Sequence, residues 1–186
     1  MFAVTQVRRL RRVWCHEDPD WTLRVLRGAS PTVEEVLLVF PRNEHVSALH
    51  AMPRLRRLFV YDGQSVDAAF TVPALPETQE RLHTLEVHRL PRRPLLALLR
   101  AHGPALHTLQ LWVGTKGCTQ WPYSCNDLHR LLGRSCLPAL RKLLLRRWVG
   151  HHKRQDCEDQ RGALRRALPW AQVHCEWCDN VPPEAF

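Results

Sequence analysis

Hydrophobic and polar positions along this chain fall into one short pattern that recurs seven times. An apolar residue is followed by two variable residues, a second apolar residue, one variable residue and a third apolar residue. The triplets are Leu10, Val13 and Cys15; Val33, Val36 and Leu38; Leu55, Leu58 and Val60; Leu82, Leu85 and Val87; Leu106, Leu109 and Leu111; Leu140, Leu143 and Leu145; and Trp170, Val173 and Cys175. Their starts are 23, 22, 27, 24, 34 and 30 residues apart. Within each triplet the last two apolar residues stand two apart, the period of a strand with one buried face. Pro31, Pro53, Pro104 and Pro138 each stand two residues before a triplet. Proline cannot continue a helix and disfavours the helical region for the residue before it, so each one punctuates the entry to a strand.

Between the triplets the period changes to that of a helix. Leu95, Leu98, Leu99 and His102 follow Pro94 at helical spacing. Leu128, Leu131 and Leu132 follow the candidate caps Ser124 and Asn126, and Leu164, Ala167 and Leu168 repeat the stripe. A shorter helix is expected from Trp21 to Arg27, starting after Asp20 and stopping at Gly28. Helices of the second and third repeats read as short or irregular, and Gly63 to Pro76 has no clear stripe. Intervals near the roughly 20 to 29 residues of leucine-rich repeats, with two units enlarged by insertions, predict an α/β fold. It is a leucine-rich-repeat solenoid of about seven strand-plus-helix repeats sharing a curved parallel sheet, with residues 1–186 as a single array.

No such repeat buries its apolar edge alone, so the ends of the array need covers. Few residues precede Leu10. Either Met1 to Gln6 folds back as a minimal cap, or further chain or a partner covers this edge.

The residues between the triplet positions must face the other way, onto the concave side. They are Arg12, Trp14 and His16; Glu35, Leu37 and Val39; Arg57, Phe59 and Tyr61; Thr84, Glu86 and His88; Thr108, Gln110 and Trp112; Lys142, Leu144 and Arg146; and Gln172, His174 and Glu176. Trp14, Leu37, Val39, Phe59 and Tyr61 then lie side by side, rimmed by Arg12, Arg57 and Glu35. Aromatic and Arg side chains in an apolar patch have the composition of a protein-binding hot spot, although an extension or loop of the chain itself would cover it as well. The expected partner-binding residues are Trp14, Leu37, Arg57, Phe59, Tyr61, Glu86, His88, Gln110, Trp112 and Arg146.

Two insertions interrupt the repeats. Gly114 to Ser124 carries Trp121, Pro122 and Tyr123, which read more readily as packing anchors than as a recognition loop. Trp148 to Asp156 carries His151, His152, Lys153 and Arg154, a run expected in a solvated loop. Cys175 and Cys178 form a CxxC with His174 adjacent and His151, His152 and Cys157 upstream. A metal reading needs a second pair at regular spacing, which the sequence does not display, and Cys175 holds an inward triplet position suited to a small apolar residue. No metal, cofactor or catalytic group is therefore assigned. Cys118 and Cys125 share a loop.

Composition changes this picture little. The chain holds 29 Leu, no Ile, 24 Arg and 3 Lys, for a formal net charge of +9. That charge permits attraction to nucleic acid or anionic partners without specifying one. Arg8 to Arg12 and Arg146 to Arg154 are the Arg-rich stretches that a nucleic-acid-associated protein would use, and the solenoid scaffold would also suit an inhibitor of an enzyme. No apolar stretch approaches the roughly 18 residues of a membrane helix. Arg8 and Arg9 interrupt any leader-like core, and seven cysteines without a leader read as reduced thiols in the cytoplasm or nucleus. No nucleophile elbow, zinc-protease, phosphate-loop or dinucleotide fingerprint occurs, so an enzyme is not expected.

With the repeats placed, the chain resembles the leucine-rich-repeat portion of arthropod F-box and leucine-rich-repeat proteins. The segments that carry the likeness are Met52 to Val60, Pro94 to Thr115, Trp121 to Leu145 and the closing stretch Ala167 to Phe186. In that family an F-box docks on the linker subunit of a cullin-based SCF ubiquitin ligase, and the repeats hold the protein to be ubiquitinated. The resemblance thus implies a non-enzymatic substrate-adaptor module. No F-box-like segment precedes Leu10 in this sequence, so docking on the SCF linker subunit is not expected of it.

Overall fold

In a computed structural model of the chain, residues 10–15, 18–61, 82–117 and 119–182 are described. The strands are β1 (Arg12–Cys15), β2 (Glu35–Val39), β3 (Arg57–Tyr61), β4 (Thr84–His88), β5 (Thr108–Trp112), β6 (Lys142–Arg146) and β7 (Gln172–Cys175). They form one seven-stranded sheet in the order β1-β2-β3-β4-β5-β6-β7, and every neighbouring pair is parallel. The helices are α1 (Pro19–Ala29), α2 (Asn43–His50), α3 (Arg92–His102), α4 (Leu128–Gly133) and α5 (Arg154–Ala167). Parallel neighbours need a crossover between them, and α1 to α5 supply it for every pair but β3 and β4, whose connection, residues 62–81, lies outside the described residues.

The register follows the triplets. Val13 lies beside Val36, Val36 beside Leu58, Leu58 beside Leu85, Leu85 beside Leu109, Leu109 beside Leu143, and Leu143 beside Val173. All of these are buried, and they join Val25, Leu26, Val46, Leu49, Leu95, Leu98, Leu99, Leu132 and Leu164 from the helices in one core. A slip by one residue would turn that whole set to the opposite face.

Just before each strand the backbone makes a second repeat. The carbonyl of Arg11 accepts the N–H groups of both Glu34 and Glu35, that of Glu34 accepts from Arg56 and Arg57, and that of Arg56 from His83 and Thr84. His83 serves His107 and Thr108 in the same way, and His107 serves Arg141 and Lys142. These carbonyls all belong to the residue after the first triplet position, so the ladder extends the hydrogen-bonded edge by one residue beyond each strand.

Several local expectations shift. Helix α1 begins at Pro19 and runs through Gly28, because the Asp18 carboxylate, rather than that of Asp20, accepts from the N–H groups of Asp20 and Trp21. Proline at the first helical position suits the same cap. Neither Ser124 nor Asn126 caps α4, which starts directly after Asp127. Helix α2 is a regular eight-residue helix in the second repeat. Helix α5 already begins at Arg154, so the second insertion is shorter than the sequence suggested. His16, Cys118, the residues before Leu10 and all of Gly63 to Pro76 lie outside the described residues, as do the expectations attached to them.

The first insertion packs by a close backbone approach. Gly114 N–H donates to the Pro122 carbonyl at 2.8 Å, and a Cβ at Gly114 would sit 1.8 Å from the Tyr123 carbonyl oxygen. Backbone cannot yield as a flexible side chain can, so Gly114→Ala should destabilise the fold by about 2 kcal/mol or more, read as a lower urea midpoint.

Candidate interaction face

Opposite the helices, the intervening residues form three rungs across the sheet. The rung nearest the strand starts is Arg12, Glu35, Arg57, Thr84, Thr108, Lys142 and Gln172. Glu35 sits between two guanidinium groups: Arg12 reaches one carboxylate oxygen at 2.7 Å and Arg57 the other at 3.5 Å. Half-exposed pairs of this kind add little stability, but they orient both Arg side chains along the rim.

The middle rung is Trp14, Leu37, Phe59, Glu86, Gln110, Leu144 and His174. Its first half is open: Trp14 is 60% exposed, and Leu37 and Phe59 are half-buried beside it. Val39 and Tyr61, on the next rung, extend the same apolar area.

The other half of the face corrects the expectation of a uniformly solvent-facing surface. Glu86, His88, Gln110, Leu144 and Arg146 are all buried. Arg146 is 3% exposed, with its guanidinium bound to the Gln110 side-chain oxygen at 3.0 and 3.2 Å and to Glu176 at 3.0 Å. Glu86 accepts from the Trp112 indole N–H at 3.3 Å. Long polar side chains on adjacent strands are close enough to find each other across the sheet, so they fill this half from within.

Along the strand ends runs an aromatic band. Tyr61 stacks on His88 with ring centres 4.3 Å apart, and His88 meets Trp112 edge-on at 4.6 Å. Trp148 lies 5.9 Å from Trp112 and 4.9 Å from Tyr123, and Tyr123 lies 5.0 Å from His151. At the other end Phe40 packs edge-on against Tyr61 at 5.9 Å. Phe40 and Arg89, each the residue after its strand, have left-handed backbones at φ 53 and 58. That conformation costs a non-glycine residue about 1 kcal/mol, and here it brings the Phe40 ring to Tyr61 and the Arg89 guanidinium to 5.6 Å from the Tyr123 ring.

Of the ten expected residues, Trp14, Leu37, Arg57, Phe59 and Tyr61 share the open half, while Glu86, His88, Gln110 and Arg146 are locked into the buried half with Trp112 half-buried between them. Sequence reasoning missed Phe40 and Trp148. Trp148 continues the period-2 series of Lys142, Leu144 and Arg146, a legible signal; Phe40 reaches the band through its left-handed backbone, which no spacing reveals. Trp121 is a packing anchor, its indole N–H donating to the Leu90 carbonyl at 2.8 Å with the Arg92 guanidinium 5.0 Å from its ring. Tyr123 instead joins the band.

Burial also pushes the thiols of Cys15 and Cys125 up to about 11, so neither is a thiolate at neutral pH. The CxxC stands differently. His152 and Cys157 lie beside Cys175 and Cys178, so the second ligand pair that sequence reasoning missed is present in space. Within the basic run, His151 is turned to Tyr123 and His152 to these thiols, leaving Lys153 and Arg154 exposed.

No protein-family model matches the chain, and no curated protein is significantly similar to it.

Two predictions follow from the buried half. Arg146→Ala strands Glu176 and Gln110 and should cost about 3 kcal/mol in urea denaturation. His88 accepts from the Trp148 indole N–H at 3.3 Å, and burial, reinforced by the Arg89 charge, holds its pKa down to about 4 from an ordinary 6.5. Between these values the unfolded chain binds the extra proton, so stability falls as pH drops from about 6.5 towards 4. His88→Phe should flatten that interval by about 2 kcal/mol relative to the unsubstituted chain, measured by denaturation at stepped pH. His50, also lowered by burial, gives a slope of the same sign in both proteins and cancels in the difference.

Proposed function

We propose that this chain is a non-enzymatic protein-interaction module, a leucine-rich-repeat solenoid that holds a protein partner on the open half of its sheet face. It resembles the substrate-binding repeats of an SCF ubiquitin-ligase F-box receptor. The observation that carries this reading is the patch of Trp14, Leu37, Val39, Phe59 and Tyr61, which has Trp14 60% exposed on the edge strand β1 and the Arg12, Glu35 and Arg57 rung along its border. An exposed Trp amid apolar neighbours with Arg at the rim is the composition of a recognition hot spot. The rigid sheet beneath it holds these side chains in place before a partner arrives, which lowers the ordering cost of binding.

The partner that fits is a folded protein or peptide presenting an apolar anchor, with acidic groups able to meet Arg12 and Arg57. A nucleic-acid role is less well supported. Arg12, Arg57, Arg92, Arg146 and Arg161, five of the 24 Arg, are each paired with a carboxylate of the chain itself.

A pulldown from nuclease-treated extract tests the reading. Partners captured by the unsubstituted chain should be lost, with affinity reduced on the order of tenfold or more, when Trp14, Phe59 and Tyr61 are all changed to Ala and circular dichroism is unchanged. Retention of every partner by the folded triple variant rejects the open face as the binding surface, and captures that vanish with nuclease point to nucleic acid instead.

A further inference from the structure

His152, Cys157, Cys175 and Cys178 converge from four consecutive elements: a loop, a helix, a strand and a turn. His152 lies in the loop after β6, Cys157 in the first turns of α5, Cys175 at the end of β7, and Cys178 in the turn that follows. One ligand atom from each lies within 4.8 Å of all the others. The His152 Nε2 atom is 3.3 Å from Cys178 Sγ and 3.7 Å from Cys175 Sγ. Around a tetrahedral zinc ion, with Zn–S of about 2.3 Å and Zn–N of about 2.0 Å, neighbouring ligand atoms stand about 3.5 to 3.8 Å apart. The four side chains are thus arranged close to the spacing that one such ion requires.

A second, independent observation is the charge beside them. Arg147 is 2% exposed and has no carboxylate within ion-pair distance among the described residues. Its guanidinium donates to the Val113 carbonyl at 2.6 Å, to Gln160 at 2.9 Å and to Cys157 Sγ at 3.2 Å, while its Nε has no partner. A buried guanidinium without an anion is costly. Three thiolates and one neutral imidazole around a divalent ion carry a net single negative charge, which would stand directly against Arg147.

The surroundings also fix the ligands. Asp179 accepts from the Cys175 backbone N–H at 2.9 Å, donates its own N–H back to the Cys175 carbonyl at 3.0 Å, and is itself held by Arg161 at 2.9 Å. The turn that carries Cys178 is therefore tied to the strand that carries Cys175. The Trp177 ring packs edge-on against His152 with centres 5.2 Å apart.

We propose that His152, Cys157, Cys175 and Cys178 form a closed structural site for one zinc ion. Zinc matches three soft thiolates and an imidazole in a tetrahedral set, and four protein ligands leave no position for a reactive water. Binding releases the thiol protons and leaves the oxidation states of zinc and sulfur unchanged. The ion would staple the last strand and its turn to the loop before α5. That loop also carries Trp148 and His151 of the aromatic band, so the staple would hold both the C-terminal edge of the sheet and one end of the band.

Metal analysis of the full chain, purified under reducing conditions with zinc supplied, decides the matter. The expected result is about one zinc per chain, and replacement by cobalt should give the strong visible bands of a tetrahedral ion together with thiolate-to-cobalt charge transfer. Cys178→Ser, at a half-exposed position, should reduce bound zinc to below about a tenth per chain. Cys136→Ser, an exposed thiol elsewhere, should leave it unchanged. Several results would overturn the site: a folded wild-type chain without stoichiometric zinc, bound iron in its place, a cobalt spectrum without thiolate charge transfer, or a tetrahedral spectrum that survives Cys178→Ser. The wild-type stoichiometry and spectrum stand whether or not the variant folds.

Discussion

A single strand of four or five residues cannot satisfy its own backbone or bury its own leucines, and everything else in this molecule depends on that. Each inner strand has two parallel neighbours to complete its hydrogen bonds, and its inward apolar residues are closed off by those of the units on either side. The ladder of carbonyls at Arg11, Glu34, Arg56, His83 and His107 makes the same demand one residue before each strand. Stability is consequently shared between neighbours, and side-chain identity on the opposite face is left free of the core.

That freedom is used in two different ways along one sheet. Over β1 to β3 the free positions carry Trp14, Leu37, Phe59 and Tyr61, which have no polar atoms, or only one at the tip, with which to satisfy each other, and they remain at least partly open to water. Over β4 to β6 they carry Glu86, His88, Gln110 and Arg146, which hydrogen-bond to side chains of neighbouring strands and to those of Glu176 and Trp148. The chemistry of the variable positions, rather than any change of backbone, divides an open apolar half from a filled half. The aromatic band connects the two, since Tyr61 belongs to the first and stacks directly on His88 of the second.

The insertions are absorbed rather than displayed. Trp121 and Gly114 pull the first loop onto the end of the sheet, and Gln160 on α5 donates to the Cys125 carbonyl at 2.9 Å, tying that loop to the last helix. The second loop is held at Thr115, which bonds to His151 and Lys153, and the proposed zinc site would add a further tie at His152. Both loops therefore brace the C-terminal half.

The recurring triplets, separated by stretches long enough to cross back over the sheet, determined the number of strands, their parallel order and their register. It also determined which residues share a face, placing Trp14, Leu37, Arg57, Phe59 and Tyr61 together as read. Tertiary structure alone decided which of those positions stay accessible: burial of Gln110 and Arg146 depends on partners 30 to 36 residues away in the chain. The joining of His152 and Cys157 to the CxxC was settled in the same way. His152 and Cys157 stand five residues apart, the spacing of a ligand pair, but the loop and helix that carry them meet the strand and turn of the CxxC only in the packed fold.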